Sequence, residues 1–377
     1  MSTSKHFLRS TVSKRSSSFK TELDTFDKEI KKRKIAHIKL ETEIKTEIKD
    51  EPIVEFNNEN ANELKGESNL VKPPSNFWPM YDEIKKMRQL IDTPVDSTGC
   101  FMIPLHLVTL SNNYKNFGTL EPIDPIKNNP SRVRPNNANF RFQLFTTLLF
   151  SSQTKDETNF NVVQLLHLNF LPKFGGLTAK AIHSISYDEL DKLITQIGFH
   201  RRKSEYLKLA AERILNEFNE DIPNSLEDLL TFKGIGYKMG ILIMQGAWNK
   251  VEGISVDTHM ARLCGMFNWV PNKSKSKNSN AKLDAEYVRK ELQLMLSDRR
   301  DIWQEINPVL VGFGQTVCTP TGRRCDLCWL NDEKNNSNKI ECPAVDKKLL
   351  LRVKRGTNGD RKIRGDLKRL LEYKKAV

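Results

Sequence analysis

The chain has 377 residues, 38% of them apolar, and 60 Lys and Arg against 47 Asp and Glu give it a formal net charge of +13. That length suits one large domain or two ordinary ones with tails, and the low apolar share implies that part of the chain is not packed. The basic excess points to a polyanionic partner, nucleic acid before anionic membrane, and no apolar run reaches the ~20 residues of a membrane span.

Residues 1–75 are rich in Ser, Thr, Lys, Glu and Asn, poor in aromatics, and expected to be disordered. No apolar stretch at their start suggests a secretory signal. Residues 1–20 carry basic and hydroxyl side chains with no acid, a weak likeness to a mitochondrial transit peptide. The run Lys31-Lys32-Arg33-Lys34 resembles a nuclear localisation signal. Lys39, Lys45 and Lys49 each stand in an Ile-Lys-x-Glu tetrapeptide resembling a SUMO acceptor site. A solvated tail with no address is the plainer alternative for all three sections. The expected location is the nucleus, with the mitochondrion second.

The folded part is expected from near Phe77. Apolar residues recur at helical spacing through 140–150, 160–171, 187–197, 204–218, 225–232, 237–248, 258–269 and 284–296, and strand-like alternation is scarce. The fold class is therefore all-α. Gly175-Gly176, Pro223, Gly234 and Gly236 punctuate the segments, and a polar insert runs from Asn272 to Asn280. Residues 347–377 read as a basic C-terminal tail that attracts phosphate or confers solubility.

Within this frame residues 225–248 carry the most information. Ser225, with Asp228 three residues on, starts a helix predicted to run to about Phe232. Gly234-Ile235-Gly236 then permits a tight turn before a second helix at about Tyr237. Helix, glycine hairpin and helix can bind phosphate, because the glycines admit a DNA backbone and the free N–H groups face it. An ordinary αα-hairpin fits the same residues. Lys238 falls in the first turn of the second helix, where the helix dipole disfavours an ammonium, and Ile241 and Leu242 are apolar neighbours. Both effects favour a neutral amine, which can attack a sugar C1′ and form a Schiff base. Taken locally, a surface lysine touching phosphate as a cation is the simpler reading. Asp257 precedes another periodic segment and is predicted to cap it. A capping carboxylate can also stabilise positive charge developing on a sugar. His259 reads as a helix-face residue, and Gln153 as the polar end of an apolar helix.

The segments Ser151-Ser-Gln-Thr-Lys-Asp156, Gly198-Phe199, Gly234-Ile-Gly-Tyr-Lys238, Val256-Asp-Thr-His259 and Gly312-Phe-Gly-Gln315, followed by a cysteine cluster, stand in one order across about residues 130–345. Together they resemble the endonuclease III family in its eukaryotic form. The resemblance implies a two-lobed helix-hairpin-helix glycosylase fold. An iron–sulfur lobe would be built from 76–135 and 250–346, and a six-helix barrel lobe from 136–249. It implies Lys238 as the Schiff-base nucleophile, Asp257 as the essential aspartate, Gln153 as filler of the gap left by a flipped base, and Phe199 as a wedge. The implied partner is damaged duplex DNA, with oxidised pyrimidines and ring-opened purines as lesions, a monomeric protein and no membrane.

Four of the six cysteines, Cys318, Cys325, Cys328 and Cys342, have six, two and thirteen residues between them. In a non-secreted chain such clustering suits metal ligation rather than disulfides. By the resemblance they ligate a [4Fe–4S] cluster; thiolates so arranged also suit zinc. The last gap is eight residues longer than the family's five. Arg323 and Arg324 are expected to face phosphates, and Cys100 and Cys264 to be structural. Two other readings stay open: a monofunctional adenine or mismatch glycosylase, which would not need Lys238, and a non-enzymatic hairpin protein, which would need neither Lys238 nor Asp257.

Overall fold

Two separate hydrophobic cores account for most of the buried side chains, and the chain leaves the first, builds the second and returns. The computed structural model describes residues 71–110, 120–122, 133–271, 283–331, 341–356 and 365–376. The addressing and SUMO-like segments, the Asn272–Asn280 insert and residues 332–340 before Cys342 lie outside them. The described residues all belong to one unit, Asn69–Val377. They are helical apart from one antiparallel strand pair, β1 (Leu120–Pro122) with β2 (Val133–Pro135). No described helix is long and apolar enough to cross a membrane.

The first core opens with α1 (Phe77–Leu90), which buries Phe77, Met80, Tyr81, Ile84 and Met87 on one stripe. A single turn, α2 (Pro94–Ser97), comes next, started by a capping box between Thr93 and Asp96. The second core holds α3 (Met102–Leu110), α4 (Ala138–Ser151), α5 (Asp156–Phe174), α6 (Ala179–Ser184), α7 (Tyr187–Leu193), α8 (His200–Glu217), α9 (Leu226–Leu230) and α10 (Tyr237–Trp248). Its axis is α4, buried on all sides from Phe140 to Phe150. Its buried polar residues are partnered, Thr146 Oγ1 donating to Phe142 O at 2.9 Å and Thr147 Oγ1 to Gln143 O at 2.7 Å, so the helix can lie inside the bundle. At its start Asn137 caps the helix, its Oδ1 accepting from Phe140 N at 2.8 Å. The chain rejoins the first core at Ile254 and adds α11 (Thr258–Met266), α12 (Ala285–Met295) and α13 (Ile306–Thr316).

Two boundaries differ from the sequence reading. Residues 76–135 do not all belong with the first core, because Ile103 and Leu107 on α3 pack into the second, against α4 and α5. Residues 347–377 are not simply a basic tail. They form α14 (Lys347–Lys354) and α15 (Lys368–Ala376), and Leu367 and Leu370 are buried in the first core. Tyr373 stacks on Trp329 with ring centroids 4.6 Å apart, and Trp329 Nε1 donates to Leu370 O at 3.3 Å. Lys and Arg dominate the composition of this stretch, but a few apolar side chains at helical spacing suffice to dock it.

Candidate active site and cysteine pocket

The hairpin forms where the sequence places it. Ser225 Oγ accepts from Asp228 N at 3.1 Å and donates to Asp228 Oδ2 at 2.6 Å, so α9 is capped as expected. It stops at Leu230, two residues early, because Phe232 N turns back to Leu229 O and Ile235 N to Phe232 O. Gly234 is obligatory: its φ is +85°, and a Cβ there would lie 2.7 Å from the Tyr206 ring and 2.8 Å from Leu149. Gly236 has an ordinary φ of −102°, and a Cβ on it would touch nothing. The fold therefore makes no demand for glycine at 236. Ile235 stands in the hairpin turn as a candidate DNA-binding residue, and its side chain points inward. It is buried in the second core and its amide is used internally, so it anchors the turn. Gly236, the N-cap of α10, has no side chain to offer, and the first amides of that helix point out of its N-terminus without an intrahelical acceptor.

Lys238 is the second residue of α10 and is half-buried. Its carbonyl accepts from Ser255 Oγ at 3.3 Å, and Ser255 O accepts from Asn307 Nδ2 on α13 at 2.8 Å. These bonds tie the start of α10 to the segment that delivers Asp257. Asp257 caps α11 with Oδ1, which accepts from Met260 N at 2.8 Å, while Oδ2 makes no hydrogen bond among the described residues. The cap role predicted from sequence is thus present, and one oxygen is left over.

A second carboxylate joins them. Asp156, the first residue of α5, is held above its ordinary value of 3.8 chiefly by burial; Lys238 and a hydrogen bond from Gln315 oppose the shift, and Asp257 adds to it. Gln315 reaches across from α13, its Nε2 donating to Asp156 Oδ2 at 3.4 Å and its Oε1 accepting from Val95 N at 3.1 Å. Both residues lie in the recognised segments, yet no local pattern assigns them a task. Asp156→Asn is expected to stabilise the fold modestly at neutral pH. The folded carboxyl binds its proton more tightly than the unfolded one, so wild-type stability falls as pH rises through that window. The variant lacks this slope. Thermal melts at pH 3.5 and 7 should show the gain at pH 7 and its disappearance at pH 3.5; a Tm lowered at both would refute the assignment.

Gln153 and Phe199, distant in sequence, come together. Both adopt left-handed backbone, with φ of 51° and 57°, and Phe199 is 62% exposed. Gly198 N donates to Thr154 Oγ1 at 3.1 Å, and a Cβ on Gly198 would lie 2.2 Å from the Gln153 carbonyl oxygen. The two loops are packed backbone to backbone.

Cys318, Cys325, Cys328 and Cys342 line one largely apolar pocket with Phe267, Phe313 and Leu330. Burial pushes the Cys342 thiol up to about 11, and Cys318 and Cys325 act on it electrostatically. Among the described residues no three Cys, His, Asp or Glu side chains converge on a point for one metal ion. Arg324, expected to face phosphates, pairs with Asp326 at 2.7 Å. Cys100 and Cys264 lie outside the pocket; burial raises them to about 11 and about 12.

Residues 147–287 match the profile of the HhH-GPD superfamily base excision DNA repair protein. The chain is similar to Endonuclease III homolog 2 of Saccharomyces cerevisiae, 39% identical over 71% of this chain and 64% of that protein. It is similar to Endonuclease III-like protein 1 of Mus musculus, 32% identical over 72% of this chain and 74% of that one. The Endonuclease III homolog of Encephalitozoon cuniculi is 33% identical over 67% of this chain and 90% of its own length. The chain thus spans just under two thirds of the Saccharomyces protein.

Proposed function

We propose that this chain, which belongs to the endonuclease III family, is a bifunctional DNA N-glycosylase and AP lyase of base excision repair. Its substrates are oxidised or ring-saturated pyrimidines in duplex DNA, with ring-opened purines as a second set. The observation that carries this reading is that Ser255 Oγ ties the Lys238 carbonyl, at the start of the helix after the glycine hairpin, to the segment ending in the Asp257 cap, with Asp156 feeling the charge of both.

The DNA backbone approaches the hairpin at Gly236, where a side chain is absent for no internal reason, and the uncapped amides of α10 meet a phosphate. The lesion base swings out of the stack, which costs least where stacking is already poor. Gln153 fills the gap and Phe199 wedges against the opposite strand. The Lys238 amine attacks C1′ through its nitrogen lone pair, the C1′–N bond to the base breaks, and the base leaves with the bonding pair and takes a proton from water. Asp257 Oδ2 stabilises the positive sugar, accepts the proton shed by the amine and returns it to O4′ as the C1′–O4′ bond opens to give the imine. Loss of the C2′ proton then expels the 3′ phosphate by β-elimination, and water releases the lysine.

Cys318, Cys325, Cys328 and Cys342 would hold a [4Fe–4S] cluster. They line one largely apolar pocket together, and their first two spacings of six and two residues match the family's cluster pattern. When bound, the cluster supplies cross-linking of the C-terminal segments. The protein acts as a monomer. Lys31 to Lys34 direct it to the nucleus, with the mitochondrion as second site, and Lys39, Lys45 and Lys49 take SUMO.

The test is a duplex bearing a single ring-saturated thymine, incubated with the protein and borohydride. A covalent protein–DNA adduct is expected from lesion duplex and none from intact duplex. Base release without adduct would indicate a monofunctional enzyme, and binding without release a hairpin protein with no chemistry. Asp257→Asn separates the cap from the catalyst. Asn caps about as well as Asp, so the variant should melt like wild type, yet excise roughly 10²–10⁴-fold more slowly. Excision within a few-fold of wild type would leave Asp257 only a cap.

A further inference from the structure

Lys203, on α8, is 3% exposed and makes no ion pair among the described residues. Its ammonium donates instead to three neutral oxygens: Phe150 O at 2.8 Å, Ser152 O at 2.5 Å and Thr154 Oγ1 at 3.3 Å. An ammonium has three N–H donors, and all three are used. Burial pushes it down to about 8, as befits a charge kept out of water without a carboxylate. The acceptors are not scattered. Phe150 and Ser152 stand at the C-terminal end of α4, where carbonyls lack helical partners and the dipole favours a cation. They flank Gln153. The third acceptor, Thr154 Oγ1, also takes the Gly198 amide, and the Lys203 amide itself donates to Phe199 O at 3.1 Å. One residue therefore holds the loop before and after Gln153 with its side chain and the Phe199 carbonyl with its backbone.

We propose that Lys203 is a positioning residue that locks the Gln153 and Phe199 loops into one rigid two-pronged unit, so that both side chains enter a duplex at a fixed separation. This rests on the reading of Gln153 and Phe199 as the groups that probe DNA. The geometry suits the task. Both prongs sit in left-handed backbone, which non-glycine residues hold only when their surroundings impose it. The surroundings here are the Lys203 ammonium, the Thr154–Gly198 bond and the close passage of Gly198 over the Gln153 carbonyl. A buried unpaired charge is costly as a mere helix stop, and it lies at the one junction shared by the two exposed probes.

The experiment uses the full chain and two duplexes of one sequence, one intact and one carrying a tetrahydrofuran abasic analogue opposite 2-aminopurine. Lys203→Met should weaken binding to the analogue duplex by about tenfold or more and to the intact duplex by under about twofold. It should also abolish the 2-aminopurine fluorescence rise that reports opening of the stack. In single-turnover excision the half-saturating protein concentration should rise while the plateau rate changes little, since Lys238 and Asp257 are untouched. Lys203→Arg, which keeps charge and donors, should recover part of the preference. A folded Lys203→Met protein with wild-type lesion preference overturns the proposal, as does equal weakening on both duplexes. Should Lys203→Met fail to fold, Thr154→Val removes the shared acceptor without stranding the charge; it should lose preference in the same direction, and unchanged preference overturns the proposal. Gln153→Ala and Phe199→Ala run alongside. If both keep full preference, the probe assignment has failed and the proposal falls with it. If both lose preference and Lys203→Met does not, only the positioning role has failed.

Discussion

Lys238→Gln is expected to give a folded protein that binds lesion duplex yet forms no borohydride-trapped adduct and loses excision by at least roughly a thousandfold. Gln approaches lysine in length but has no nucleophilic amine, and Lys238 is only half-buried, so the substitution leaves no cavity, though it takes a cation from beside Asp156. The backbone that sets the site is unaffected, because Ser255 Oγ bonds the Lys238 carbonyl rather than its side chain. DNA affinity rests on the uncapped amides of α10, on Gly236 and on the basic surface, all retained. The informative measurement pairs trapping with base release. A variant that neither traps nor releases base supports one amine serving both steps. A variant that releases base at near the wild-type rate but does not trap would assign excision to water and confine Lys238 to the lyase step. A variant that still traps at the wild-type rate would place the nucleophile elsewhere.

How much of the molecule is legible without its fold differs from residue to residue. Helices α4, α5, α8, α10, α11 and α12 are visible as apolar periodicity, and the Ser225 and Asp257 caps as single residues at fixed offsets. Short α6 is not, since six residues carry too little periodicity, and its start depends on Thr178 accepting from Ala181 N. Helices α14 and α15 are hidden by their charge, because docking rests on a handful of apolar residues such as Leu349, Leu367 and Leu370. Asp156, Gln315 and Lys203 owe their roles to partners far along the chain. The Asp156–Gln315 bond joins positions 159 residues apart, and Lys203 meets Ser152 across 51. No window along the sequence contains both ends of either bond. Ile235 shows the converse: a position legible only as part of a tight turn is an anchor, which only burial discloses.

Cys342→Ala is expected to cost the protein its iron and much of its C-terminal structure together. The thirteen residues between Cys328 and Cys342 are the obvious objection to a fourth ligand there. Lengthening the loop from five to thirteen residues costs only on the order of 0.6–1 kcal/mol in closure entropy, and metal–thiolate binding offsets several times that. The fold brings Cys342 back regardless: it is buried, shares the pocket with Cys318, Cys325 and Cys328, and lies in the first core. The next turn of chain is fastened to the same pocket. Val345 N donates to Cys342 O at 3.2 Å, Asp346 N donates to Cys325 Sγ at 3.5 Å, and Asp346 Oδ1 caps α14 through Leu349 N at 2.9 Å. Binding energy at such a site is folding energy, so losing one ligand should loosen the pocket and free the chain beyond it. Anaerobically purified wild type should be yellow-brown with about four irons per chain. Cys342→Ala should be pale and iron-poor, melt earlier, and be cut by protease after residue 345. Cys264→Ala is the control, since Cys264 is buried in the same core but outside the pocket; it should keep its iron and lose only packing. Wild type that is colourless, or that carries one zinc per chain, would overturn the cluster while leaving Lys238 and Asp257 where they are.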